Sequence, residues 1–224
     1  MKFIIPLLFL VFLTCCNQQD SKKKAETTTI ITKDSAADNP AATEEKDNTA
    51  KQAKPATADS VQLQQLSRDI LATIKSKDFK KLSQFVHPAG VRFSVYAYID
   101  TVKDKRFTPA QLAEFGSKPT KFTWGLTDGE GKPIVLSLDK YVDRWAYDKD
   151  YLNAPQSATN RFLGYGNSLN NLLEAYPGAD FTEFYFPGFE PKYEGMDWRT
   201  IRLVFRKEDN KYYLVGIVHD EWTI

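Results

Sequence analysis

The chain has 224 residues, a formal net charge of +1 and 26% charged residues. A charge so close to zero, with no basic stretch interleaved with aromatic residues, argues against a nucleic-acid partner. The only cysteines are Cys15 and Cys16, near the start of the chain. The rest of the chain therefore holds no internal disulfide, thiolate nucleophile or cysteine-based metal site.

An apolar run occupies residues 3–13, directly before the two cysteines. It has about the length of a signal-peptide core and is too short to cross a bilayer as a helix. Leu13 stands three positions before Cys16, an arrangement that resembles a bacterial lipoprotein signal, although Cys15 replaces the usual small residue. The resemblance implies a signal peptide over residues 1–16, with Cys16 carrying a fatty acid such as palmitate. Cys15 is the alternative site, and an ordinary secretory signal is the alternative reading of the whole segment.

Residues 17–58 are predicted to form a disordered tether. Up to residue 57 this segment has no aromatic residue, and Ile30 and Ile31 are its only bulky apolar pair. Seven lysines balance seven acidic side chains. Such a composition cannot bury enough apolar area to offset the entropy lost on ordering. The resemblance of the preceding segment to a lipoprotein signal implies a location in the bacterial cell envelope, lipid-anchored on a periplasmic or outer-surface face.

Residues 59–224 have the size of one folded domain. Apolar residues at three- and four-residue spacing predict a helix from Asp59, and Asp78 is placed to cap a second, short helix. The remaining predicted elements are strands at 91–99, 121–126, 134–136 and 181–186, helices at 108–115 and 137–147, a turn at 128–132, and an irregular stretch at 148–177 with a short helix near 169–175.

Residues 197–224 predict a terminal β-hairpin that turns at Asp209 and Asn210. With a two-residue turn and no irregularity, facing residues have numbers that sum to 419. The expected facing pairs are Phe205 with Leu214, Leu203 with Gly216, Ile201 with Val218, and Arg199 with Asp220. The last pair is expected to form a cross-strand ion pair at the end of an apolar face.

The element order resembles the NTF2-like (cystatin-like) α+β fold, with two N-terminal helices, a strand, further helices and three long C-terminal strands. The phrases HPAGVRFSVYAYID, GYGNSLNN, MDWRTIRLVF and YYLVGIVHDEWTI are similar to those of uncharacterised bacterial envelope lipoproteins. The resemblance implies a cone of curved antiparallel sheet wrapped on the N-terminal helices, with a pocket at its open end. It brings no catalytic residues to this chain, and the fold alone decides no function.

The candidate ligand-binding residues are polar or aromatic side chains of the predicted strands: Arg92, Tyr96, Tyr98, Arg199, His219 and Asp220. No metal site is expected, because the two histidines do not share an element at ligand spacing. No cofactor is expected either, since the glycine pattern at 164–169 departs from dinucleotide loops at its sixth position.

The predicted function is a membrane-anchored, non-catalytic module that binds a small molecule or an envelope protein. The alternative is a small hydrolase or isomerase that uses acid–base residues in the cavity. An enzyme would show a deep apolar pocket containing a carboxyl group of raised pKa. A binding module would show a shallow, aromatic-lined groove or an exposed sheet face.

Replacing Cys16 with Ser is expected to abolish incorporation of a radiolabelled fatty acid and to release the protein from the membrane fraction. Cys15→Ser serves as the matched control and should leave both unchanged. Labelling that survives Cys16→Ser and disappears in Cys15→Ser would move the site by one residue. No labelling of the wild-type chain would refute lipidation.

Overall fold

The computed structural model describes residues 58–115 and 118–223. The predicted signal peptide, Cys16 and the tether up to residue 57 lie outside the described residues. Five α-helices are described: α1 (Ala58–Lys75), α2 (Phe79–Leu82), α3 (Pro109–Phe115), α4 (Leu138–Tyr141) and α5 (Leu172–Ala175). A π-helical turn, Val142–Ala146, continues α4, and single 3₁₀ turns occupy Ser83–Phe85, Tyr151–Asn153 and Pro191–Tyr193. Asp78 caps α2 as predicted, since its carboxylate accepts from the Lys81 amide at 2.9 Å.

Eight strands are described: β1 (Val91–Ser94), β2 (Lys105–Phe107), β3 (Lys121–Leu126), β4 (Pro133–Ser137), β5 (Gln156–Thr159), β6 (Asp180–Phe186), β7 (Arg199–Glu208) and β8 (Lys211–Glu221). Six form one sheet in the order β2-β1-β8-β7-β6-β5, and β3 pairs with β4 as a separate hairpin. The predicted α+β class is confirmed, with N-terminal helices and a curved sheet whose long strands β6, β7 and β8 are adjacent. The sheet is not wholly antiparallel as predicted, because β1 runs parallel to β8.

The β7–β8 hairpin turns at Asp209 and Asn210, as predicted. Their φ angles are 47° and 62°, the left-handed values that a two-residue type I′ turn requires. Next to the turn the predicted register is correct, with Phe205 opposite Leu214. Beyond that rung Val204 faces Gly216, so Val215 is an extra residue in β8 and forms a β-bulge.

The bulge overturns the predicted pairing for the rest of the hairpin. Arg199 faces Glu221 and Thr200 faces Asp220, so the predicted Arg199–Asp220 pair does not form. Residues 214–218 are Leu, Val, Gly, Ile and Val, and a run without polar alternation cannot show which residue faces which side. This is the physical reason that the sequence pattern missed the bulge.

Each face of the sheet carries its own apolar core. Ile201, Leu203 and Phe205 of β7 share the larger core with α1, whereas Val204 packs in a smaller core on the opposite face. The smaller core comprises Ile99, Leu172, Tyr176, Phe181, Val204, Val215 and Val218. Its covering layer comes from the irregular stretch before β6, so that stretch is a packed part of the fold.

Two further sequence expectations needed correction. The predicted strand at 91–99 ends at Ser94. Val95, Ala97 and Ile99 are buried, but Val95 packs in the larger core and Ile99 in the smaller one, so they do not share one face. Beyond Ser94, at Ile99, the backbone forms hydrogen bonds with a side chain and not with a neighbouring strand. The Asn171 side chain accepts from the N–H of Ile99 and donates to its C=O. The edge strands β2 and β5 were not predicted, because they have only three and four residues and too little alternation. The predicted helix 137–147 is present as α4 and the π-helical turn.

Gly216→Ala is expected to destabilise the protein by about 1 to 3 kcal/mol, because a Cβ at this position overpacks the smaller core. The added atom would lie 2.8 Å from the Tyr176 hydroxyl oxygen and 3.2 Å from the Cβ of Val204. Urea unfolding of the single variants and of Gly216→Ala with Tyr176→Phe measures the effect. The double variant should recover part of the loss, since the closest clashing atom is then gone. Strictly additive losses would contradict this packing.

Candidate functional site

An open groove of about 500 Å³ lies between the end of β8, the β3–β4 hairpin and the π-helical turn. Its lining combines aromatic, aliphatic and charged side chains: Tyr96, Thr127, Asp128, Pro133, Ile134, Val135, Leu136, Arg144, Trp145, Glu221 and Trp222. Tyr96 and Trp145 meet edge to face with ring centroids 5.3 Å apart, and Trp222 is 44% exposed. We call this feature the aromatic groove.

The π-helical turn supplies two neighbouring residues to the aromatic groove. Trp145 is buried, and the guanidinium carbon of Arg144 lies 4.0 Å from the centroid of its ring. Tyr141 and Val142, earlier on the same segment, are buried in the larger core and hold it in place. Single π-helical turns are frequent at functional sites, because the extra residue redirects side chains.

A charged cluster supports the floor of the aromatic groove. The carboxylate of Glu221 lies 3.0 Å from Arg199 Nε and 3.3 Å from Arg144 Nη2. Arg199 Nε also lies 3.4 Å from Asp148, which accepts a 2.7 Å hydrogen bond from the Tyr151 hydroxyl. Each acidic side chain in this cluster thus contacts at least one guanidinium group.

His219 joins the charged cluster from β8 and is fully buried. Its Nδ1 lies 3.1 Å from the Val95 carbonyl oxygen, and because a carbonyl only accepts, Nδ1 carries the hydrogen. Its Nε2 lies 3.6 Å from Asp148 Oδ1. Burial raises the pKa of Asp148, but the contacts with His219, Tyr151 and Arg199 outweigh burial and leave that pKa below its ordinary value.

A second charged cluster lies on the opposite face of the sheet, centred on the fully buried Arg202. Its guanidinium donates to Asp220 at 3.0 Å, to the Gly164 carbonyl at 3.0 Å and to Glu183 at 3.2 Å. Glu183 also accepts from the backbone amides of Leu163 and Gly164, each at 3.0 Å. We call this set the buried Arg202 cluster. It fastens the irregular stretch to the sheet.

Asp220 differs electrostatically from the carboxylates of the aromatic groove. Burial raises its pKa above the ordinary value, and the neighbouring Arg202 only partly opposes this. Its Oδ1 and Arg202 Nε have no hydrogen-bond partner among the described residues. Asp220 is 3% exposed and lies on the opposite face of the sheet from the aromatic groove.

The structure places three of the six candidate residues at or beneath the aromatic groove: Tyr96 lines it, and Arg199 and His219 lie in the supporting cluster. Tyr98 is 53% exposed beyond β1. Arg92 donates to the Thr101 carbonyl at 2.7 Å on the other face of the sheet, where Asp220 also lies. The six residues therefore do not form one site.

Sequence reasoning missed five residues that define the two clusters and the groove: Arg144, Asp148, Glu183, Arg202 and Trp222. Glu221 and Trp222 directly follow the candidate Asp220. The predicted hairpin register paired Arg199 with Asp220, whereas in the structure Arg199 faces Glu221. Arg202 stood out in the sequence as a cationic residue within an apolar strand, flanked by Ile201 and Leu203. That contrast is the signal that could have revealed it.

A larger groove of about 700 Å³ lies between α1 and the tip of the β7–β8 hairpin. Val61, Leu66, Phe85 and Tyr212 contribute its apolar lining, and neutral amides supply much of the rest. Within residues 58–115 and 118–223, no group of three or more His, Cys, Asp or Glu side chains is placed to hold a metal ion. No helix in that part of the chain is long and apolar enough to cross a membrane.

The chain matches no protein-family profile and no curated protein. Two solved structures are similar to it. One, described as a calcium/calmodulin-dependent protein kinase II association domain from Xanthomonas campestris, is 10% identical, with 77% of this chain and 94% of that chain covered and a TM-score of 0.31. The other, a designed NTF2-like protein, is 14% identical, with 70% and 94% covered and the same TM-score of 0.31. Likenesses this distant carry no argument about function.

Arg202→Met is expected to cost about 3 to 5 kcal/mol of stability near neutral pH, because it leaves Asp220 and Glu183 buried without their cation. The loss should shrink as the pH falls. The folded-state pKa of Asp220 is raised, so the folded form takes up a proton before the unfolded form does, and protonation removes the unpaired charge.

Urea unfolding between pH 4 and 7 measures this dependence. Lys75→Met is the matched control, because it breaks the Lys75–Asp150 ion pair whose side chains are 49% and 44% exposed, and it should cost less than about 1 kcal/mol. Equal losses for the two variants, or a loss that grows on acidification, would contradict a buried, charge-dependent cluster.

Proposed function

We propose that the domain is a non-catalytic binding module and that the aromatic groove holds its ligand. The observation that carries this proposal is the groove itself: open, lined by three aromatic residues, and built on carboxylates that are already paired with arginines. Aromatic side chains with a few placed polar groups are typical of small-molecule sites. The shallow, aromatic-lined form is the one that the sequence analysis associated with binding.

The geometry gives less support to the alternative enzyme. A general acid near neutral pH needs a carboxyl group of raised pKa within reach of a substrate. Two described carboxyl groups with raised pKa are Asp220 and Asp104, and neither lines the aromatic groove. Burial raises the pKa of Asp104 to about 6, and this carboxyl group accepts hydrogen bonds from Ser94 and the Asp100 amide near β2. Asp148, beneath the groove, has a lowered pKa and remains ionised.

We further propose that the protein is a lipoprotein of the bacterial cell envelope, anchored to the membrane through Cys16. Support comes from the apolar run at residues 3–13 and the cysteine that follows it. In this arrangement the binding module would meet a small molecule or an envelope protein at the membrane surface. No nucleic-acid partner is proposed, since the net charge is only +1.

A screen of amphipathic small molecules by thermal shift on the purified chain is expected to return ligands that raise Tm. At a free concentration of a hundred times its Kd, a ligand adds about 2.7 kcal/mol to the free energy of unfolding. For a domain of this size that corresponds to a rise in Tm of roughly 5 to 10 °C. Trp222→Ala should reduce or abolish the shift, because Trp222 is an exposed wall of the groove.

Val61→Ser is the matched control, since it alters the other, larger groove and should leave the shift unchanged. Ligands whose Tm shift is reduced by Val61→Ser and unchanged by Trp222→Ala would place binding outside the aromatic groove. Conversion of a ligand to product, followed by mass spectrometry, would favour the enzyme instead.

A further inference from the structure

One residue lining the aromatic groove, Trp145, has a hydrogen-bond donor that no described residue accepts. Trp145 is only 4% exposed, and its indole Nε1–H has no hydrogen-bond partner among the described residues. An indole nitrogen can only donate, and a buried donor without an acceptor is costly. The Tyr96 hydroxyl oxygen accepts from the Asp128 amide at 3.0 Å, and a hydroxyl that accepts can also donate. A ligand rich in acceptors would satisfy these groups.

The charge at the aromatic groove also favours an anion. An aromatic lining beside a carboxylate often receives a cation, but here the face of Trp145 is already covered by Arg144, 4.0 Å from the ring centroid. Glu221 is 10% exposed in its side chain and lies beside both Arg144 and Arg199. The side chain of Arg144 is 50% exposed. The guanidinium group is therefore the accessible charge on this side of the groove.

The opposite rim carries Asp128, an exposed residue of the β3–β4 turn. Its carboxylate opposes the binding of an anion, but an exposed charge is strongly screened by water and salt. Arg144 can offer direct, charge-assisted hydrogen bonds, which are stronger than a screened repulsion at a distance. Asp128 therefore weakens the preference for an anion but does not remove it.

We infer that the aromatic groove selects a ligand whose carboxylate is joined to an aromatic or aliphatic body. The carboxylate would accept from Arg144 and from the Trp145 N–H, and the body would lie against Trp222 and the β4 side chains Ile134 and Val135. This inference rests on the proposed binding function and deepens it by giving the head group of the ligand. Arg144 and Trp145 become the residues that determine specificity.

The test uses three probes with the same phenyl group and different head groups: 4-phenylbutyrate, 4-phenylbutyramide and (3-phenylpropyl)trimethylammonium. Isothermal titration calorimetry on the full chain near neutral pH is expected to show that the acid binds at least about tenfold more tightly than the amide, and that the cation binds most weakly. The preference for the acid should decline as sodium chloride is raised, because the contact with Arg144 is charge-assisted.

Two variants and one control locate the preference. Arg144→Gln should bring the acid to within about threefold of the amide, and Trp145→Phe should weaken the acid more than the amide. Arg144 is half exposed, so its replacement keeps the core intact, and circular dichroism melting verifies the fold of both variants. Lys75→Gln is the matched control, because it also removes a half-exposed cation but lies outside the aromatic groove, and it should leave the affinity for the acid unchanged.

The outcomes separate this inference from the proposed function. Equal affinity for acid and amide, preference for the cation, or an acid preference that survives Arg144→Gln would overturn the head-group inference while the groove still binds. Failure of all three probes together with failure of the thermal-shift screen would overturn both proposals. Failure of these probes alongside screen hits that depend on Trp222 and carry no carboxylate would overturn the inference alone.

Discussion

The β-bulge at Val215 is the constraint on which the arrangement of polar groups depends. A one-residue insertion reverses the face of every side chain that follows it along the strand. Val215 and Val218 therefore share the smaller core, and His219 turns toward the larger one. Without the bulge, Asp220 would lie on the face of Arg199 and would leave the buried Arg202 with one carboxylate fewer.

The sheet is thus a middle layer with a different chemistry on each side. On one side α1 and a large apolar core end in the charged cluster beneath the aromatic groove. On the other, the irregular stretch is held by the buried Arg202 cluster, in which an arginine, two carboxylates and backbone groups of residues 163 and 164 meet. A buried ion cluster contributes little net stability over a well-packed apolar core, but it disfavours alternative placements of the stretch it binds. The buried Arg202 cluster therefore suits the irregular stretch, which has little regular secondary structure of its own.

The proposed ligand site lies where these layers and the β3–β4 hairpin meet. Carboxylates there are neutralised by arginines and fixed by surrounding hydrogen bonds, so they position other groups instead of exchanging protons. What remains available to a ligand is aromatic surface, one half-exposed guanidinium and an indole N–H. Pre-organised groups of this kind lower the entropy lost on binding. This is why we propose that the groove binds a molecule without transforming it.

Local spacing and turn chemistry encode the α+β class, the N-terminal helices, the turn at Asp209 and Asn210 and the apolar face of β7, so the sequence predicts each of them. Tyr96, Arg199 and His219 were also identified as polar or aromatic side chains on predicted strands. Only the tertiary structure decided the bulge, the parallel pairing of β1 with β8, and the short edge strands. These depend on contacts between distant segments, and the uniformly apolar residues 214–218 give no local preference for either face. For the same reason the partners of Arg202 and Arg199 could be assigned only once the strands were in register.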